Sequence, residues 1–161
     1  MNYKIEEKPA FSMYGVSTTV NANDEKAFVE IPEFWTTCII NGTVDRIRTT
    51  SGLGENGQIH SVLYNRDGEK LSYMIGYFLP QSGLPEGFEL LEIPNQTYAI
   101  FSTCLYPDGH SDIHNFWKRI WGEWFPNSNY EIADGPEFEM TYDRGNEMYE
   151  MELWIPVVEV G

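Results

Sequence analysis

Apolar and acidic residues alternate along the last fifth of the chain. Pro136 to Tyr142 and Glu147 to Val158 flank Asp143-Arg144-Gly145-Asn146. This arrangement predicts a β-hairpin, because successive strand side chains point to opposite faces and a Gly/Asn pair supplies the turn. In the first strand Phe138, Met140 and Tyr142 share one face, opposed by Glu137, Glu139 and Thr141. In the second, Tyr149, Met151, Leu153 and Ile155 are opposed by Met148, Glu150, Glu152 and Trp154. One face suits a core. The other mixes carboxylates with aromatic and thioether groups, which suits a pocket for something apolar and positively charged.

Residues 4–20 read as a strand broken near Pro9, and Asn21 to Glu30 as a polar connection. Pro32 is placed in the first turn of a helix that carries Phe34, Trp35 and Cys38 on one stripe. Thr49 to Gly57 reads as a flexible glycine-rich loop with no phosphate-cradle motif. His60 to Tyr64 and Leu71 to Leu79 form a second hairpin around Asn65-Arg66-Asp67-Gly68, and Pro80 to Gly87 is a linker. Ile113, Phe116, Trp117, Ile120, Trp121, Trp124 and Phe125 recur at helical spacing, with Ser111 as N-cap, Asp112 beside it and Pro126 as the stop.

Three segments repeat in order. Ile5 to Pro9 matches Leu90 to Pro94, Ile31 to Trp35 matches Ile113 to Trp117, and Tyr73 to Pro80 matches Tyr149 to Pro156. The expected fold is therefore α+β: duplicated β-α-β-β units, residues 1–82 and 83–161, related by a pseudo-two-fold axis. Antiparallel sheets with two main helices would leave a central ligand groove between the halves. The length of 161 residues fits one such domain.

The formal charge of −15, with only 10 basic residues, disfavours direct contact with nucleic acid and favours cationic ligands. No apolar run reaches the roughly 20 residues of a membrane span, and the N-terminal residues lack the blocks of a signal peptide, so the expected location is the cytoplasm. Cys38 and Cys104 read as buried thiols. His110 and His114 have the i, i+4 spacing of zinc ligands but no third ligand, so neither a metal nor a cofactor is expected. Glu139 and Glu152 remain the candidate chemistry. A carboxylate on an aromatic-rich face costs several kcal/mol to bury ionised unless a cation pairs with it, and Trp154 could add a cation–π contact. The alternative at this stage is an outer sheet face with its acids in water.

Together these segments are similar to the GyrI-like effector-binding superfamily. The likeness is carried by the opening strand, Ile31 to Trp35, Tyr98 to Phe101, Trp124 to Glu131, Gly135 to Glu139, and Glu152 to Val157. Two residues separate Glu139 from Tyr142 where that superfamily commonly has one, which leaves the register of Tyr142 open. The superfamily includes ligand-sensing domains of multidrug-responsive transcription activators, effector domains of AraC-type regulators, and stand-alone DNA gyrase inhibitor proteins. The resemblance implies a groove for small, cationic and amphipathic compounds, with Glu139 and then Glu152 as acidic contacts and Trp154 as an aromatic wall. Trp35, Tyr106 and Trp117 would border it. It further implies a free-standing binder, or one acting through gyrase or a transcription regulator. Two other roles stay open: a protein-interaction inhibitor of the gyrase-inhibitor type, and a hydrolase of strained-ring alkylating compounds.

Overall fold

The computed structural model describes residues 1–54, 57–105, 113–146 and 148–160. Its strands are β1 (Tyr3–Lys8), β2 (Phe11–Asn21), β3 (His60–Asp67), β4 (Lys70–Phe78), β5 (Glu89–Ile93), β6 (Gln96–Leu105), β7 (Tyr130–Ile132), β8 (Glu137–Asp143) and β9 (Tyr149–Glu159). The helices are α1 (Asp24–Ile40), α2 (Thr43–Thr50) and α3 (Ile113–Arg119). All strand pairs are antiparallel and follow the order β1-β6-β9-β8-β3-β4-β2-β5, with β7 added on β9. The fold is α+β and duplicated.

The repeat explains this order. Each half supplies a leading strand, a second strand, helix, and a hairpin. The leading strands change places: β1 pairs with β6 of the second half, and β5 pairs with β2 of the first. The halves join at the centre of the sheet, where β3 meets β8 and Ser61 lies opposite Glu139. Gly15 and Gly76 face each other on β2 and β4. A Cβ on Gly15 would overlap the Ile75 carbonyl oxygen, and one on Gly76 that of Tyr14, so the two backbones approach closely only because neither residue has a side chain.

Both faces of the sheet are covered. On one, α1 and α2 bury Tyr14, Tyr73 and Ile75, while α3 buries Ala99, Phe101, Leu153 and Ile155. The Tyr14 hydroxyl reaches α2, donating to the Ile47 carbonyl oxygen at 3.1 Å and meeting the Thr50 and Ser51 hydroxyls. The opposite face curls upon itself. A flat sheet would hold β2 about 14 Å from β8, at roughly 4.8 Å per strand. Yet the Phe11 ring on β2 lies 5.6 Å from Phe138 on β8 and 6.4 Å from Trp154 on β9. Curling closes this face over Met13, Val62, Met74, Tyr98, Phe138, Met140 and Trp154.

Several local expectations change. The connection placed at Asn21 to Glu30 is mostly helix: the Asn23 side chain caps α1 by accepting from the backbone N–H of Glu25 at 3.0 Å and Lys26 at 3.4 Å. Pro32 consequently lies inside α1 rather than in its first turn. The stretch from Thr43 to Thr50 is a helix anchored by buried Val44 and Ile47, so the loop expected from Thr49 starts only after it. The aromatic helix is α-helical to Arg119, widens to a π turn over Ile120–Trp124, and tightens to a 3-10 turn over Phe125–Asn127 that includes Pro126. Its proposed cap, Ser111 with Asp112, lies outside the described residues. None of the described helices is long and apolar enough to cross a membrane.

Candidate functional site

The central strands β3 and β8 lie between the flank of the sheet under α1 and the flank under α3, the place where a groove between the halves is expected. The helices touch where the Phe28 and His114 rings lie 5.1 Å apart. Alternation along β8 turns Glu139 into this groove while its neighbours Phe138 and Met140 enter the opposite, sealed face.

Glu139 is half-buried and gathers contacts from several elements. The Trp117 indole N–H on α3 donates to its Oε1 at 3.4 Å, and the Ser61 hydroxyl on β3 lies 3.5 Å from Oε2. The phenol of Tyr73 on β4 accepts the Trp35 indole N–H of α1 at 2.7 Å. Burial pushes the Glu139 pKa up, against the opposing pull of Trp117 and Ser61. Burial also raises the Tyr73 phenol, and the neighbouring Glu139 charge adds to it. The ion pairs among the described residues join Lys4 and Lys8 to Glu6, Arg48 to Asp45, Arg119 to Glu123 and Arg144 to Glu150; none involves Glu139. Among the described residues, Glu139 is thus a desolvated carboxyl group with donors but no cation beside it.

Of the candidate residues, the structure brings the Trp117 indole to Glu139, and the Trp35 indole to the neighbouring Tyr73 phenol rather than to Glu139 itself. Glu152 and Trp154 do not join them. Trp154 pairs across β8–β9 with Phe138, and Glu152 with Met140, so both side chains stand on the sealed face. Trp154 is only 6% exposed, its indole N–H donates to Glu152 Oε1 at 3.0 Å, and the Lys8 ammonium sits 4.8 Å above its ring. The cation–π place at Trp154 is filled by the chain itself. Tyr142 also stands on the sealed face, where burial and then the Glu152 charge raise its phenol. Tyr106 and His110 lie outside the described residues, and His114 packs on Phe28. Ser61 and Tyr73 escaped the sequence reading. Their signal was a hydroxyl in each of two strands otherwise made for burial, both facing the groove.

A duplicated sheet with a helix-walled groove defines the effector-binding class of fold. The chain belongs to the Cass2 family of integron-associated effector binding proteins, whose family model matches residues 4–157. It is 38% identical over 79 residues to a DNA gyrase inhibitor from Erwinia billingiae (strain Eb661); the match covers 46% of this chain and 49% of that protein. The chain thus spans about half the length of this curated relative. Among solved structures it is similar to SAV2435 bound to tetraphenylphosphonium, at TM-score 0.76 and 19% identity, covering 98% of this chain and 94% of the other. An integron cassette protein from Vibrio cholerae superposes at TM-score 0.66 with 17% identity, covering 97% and 95%. At these identities the structures share the fold.

Proposed function

We propose that the protein binds small, cationic and amphipathic molecules in the groove between α1 and α3, with Glu139 as counter-charge. One observation carries this reading: Glu139 is desolvated, held by indole and hydroxyl donors, and has no cation beside it among the described residues. A bulky monocation brings the missing charge while losing little hydration of its own, and the Trp35 and Trp117 rings offer apolar and cation–π surface worth about 0.5–2 kcal/mol each. Membership of an effector-binding family supports small-molecule binding in general. Tetraphenylphosphonium, found on a structural neighbour, is the natural first probe.

Calorimetric titration of tetraphenylphosphonium tests the reading. The wild-type protein should bind in the low micromolar range, about −8 kcal/mol. Glu139→Gln should weaken binding by about thirtyfold, near 2 kcal/mol, whereas Glu152→Gln should stay within about twofold because its carboxylate faces away. Equal affinity of wild type and Glu139→Gln would sink the proposal. A probe consumed with time, rather than recovered intact, would instead indicate hydrolysis.

The match to a DNA gyrase inhibitor motivates a second reading, in which the acidic surface engages a protein partner such as gyrase. Inhibition of supercoiling without any small ligand, weakening as salt rises, is its expected signature. Unaltered supercoiling at saturating protein would dismiss it.

A further inference from the structure

The β3–β8 ladder is short: it pairs Ser61, Val62 and Leu63 with Glu139, Phe138 and Glu137. It stops at the residue that carries the groove carboxylate. Beyond it, the next N–H of β8 directed toward β3 belongs to Thr141. It is taken not by a β3 carbonyl but by the imidazole Nδ1 of His60, at 3.1 Å. His60 is 2% exposed and fixed by rings on three sides: Tyr77 stacked at 5.1 Å, and Phe78 and Tyr142 each at 5.5 Å. Accepting at Nδ1 requires the neutral tautomer with its proton on Nε2.

Consecutive residues of β3 therefore grip β8 from its two sides. His60 holds the Thr141 amide from the sealed face, while Ser61 meets Glu139 in the groove. The two donor contacts to Glu139, at 3.4 and 3.5 Å, stand at the outer limit of hydrogen bonding. A small displacement of β8 decides whether they are made.

We propose that His60 is a positioning residue for Glu139: by capturing the Thr141 N–H where the ladder ends, it sets the height at which β8 presents the carboxylate to a bound cation. The role rests on Glu139 being the ligand's counter-charge. His60 touches no ligand and acts through the backbone.

Three substitutions separate this from a merely structural role, with tetraphenylphosphonium as the probe. Asn places an oxygen where Nδ1 stands, so His60→Asn should bind within about threefold of wild type. His60→Leu fills the aromatic nest without an acceptor and should lose about tenfold, with faster hydrogen exchange at the Thr141 amide. His60→Gln, whose acceptor lies one bond further out, should behave like His60→Leu and stands in for it if that variant fails to fold. In a Glu139→Gln background, losing the His60 acceptor should change affinity by less than about twofold, since no carboxylate remains to be positioned. Full binding by His60→Leu or His60→Gln, or a loss that adds undiminished to that of Glu139→Gln, overturns the positioning role alone. Unaltered binding by Glu139→Gln itself overturns the role together with the reading beneath it.

Discussion

The two faces of β8 differ in what their side chains are for. On the sealed face Phe138 and Met140 are fully buried, with Trp154, Tyr98 and Phe11 packed around them. On the groove face Glu139 keeps some exposure and long, weak hydrogen bonds. One residue of alternation separates a saturated core position from a weakly hydrogen-bonded carboxyl group. The sealed face supplies stability, and the groove face spends some of it to keep a carboxylate with no cation beside it among the described residues. Sites that hold a charge ready for a ligand generally reduce the stability of the empty protein.

Substitutions on either side should bring out this contrast. Phe138→Ala empties a packed position and should lower unfolding free energy by about 3–5 kcal/mol in urea titration. Glu139→Gln, one residue away, should do no such harm. If both variants destabilised alike, the two faces would not be distinct.

The faces should also answer pH in opposite directions. Burial lowers the His60 pKa from 6.5 to about 4. Between those values the unfolded chain binds the proton and the folded chain does not, so stability falls as pH drops through the window. The loss should approach roughly 3 kcal/mol and be absent from His60→Asn, as read by the difference between their pH–stability curves. Glu139 has the reverse sign. Its raised pKa makes the folded state hold the proton more tightly, so its share of stability falls as pH rises above the ordinary carboxylate range. Glu139→Gln should therefore melt higher than wild type at neutral pH and lose that advantage in acid. Affinity for a cation should rise with pH over the same range, as the carboxylate ionises.

The smallest expected effect probes the groove wall. Trp117→Phe keeps a ring but removes the N–H that meets Glu139, and should weaken tetraphenylphosphonium by about fivefold, near 1 kcal/mol, without altering the melting temperature. A large drop in stability would assign Trp117 to the core instead.

Much of the fold was written in local patterns. Alternation marked both hairpins, and the three repeated segments coincide with β1 and β5, α1 and α3, and β4 and β9. Other parts depend on information no short window holds. In α2, Thr43 to Thr50 has just Val44 and Ile47 facing the core, too few for a periodic stripe. The cap at Asn23 was overshadowed by Pro32, a residue that more often opens a helix than lies within one. The candidate site shows the limit most clearly. The faces of β8 and β9 were legible separately, but their mutual register was not, and a one-residue slip exchanges the faces. The register places Phe138 beside Trp154, and Glu139 beside Leu153. Because both faces of this sheet are covered, each could accept apolar residues, so hydrophobicity alone did not say which acid entered the groove.

The exchange of leading strands has a consequence for how the chain is made. Tyr3 pairs with Phe101, and Phe11 with Ile93, so neither edge of the sheet closes until the second half exists. On a ribosome moving at about 5–20 residues per second, the first strand waits roughly 5–20 s for its partner to be synthesised. Nascent chains halted before Gln96 should leave the β1 segment open to protease, and those extended past Leu105 should begin to protect it. The first six residues to be ordered into a strand in the sequence are thus among the last to be secured in time.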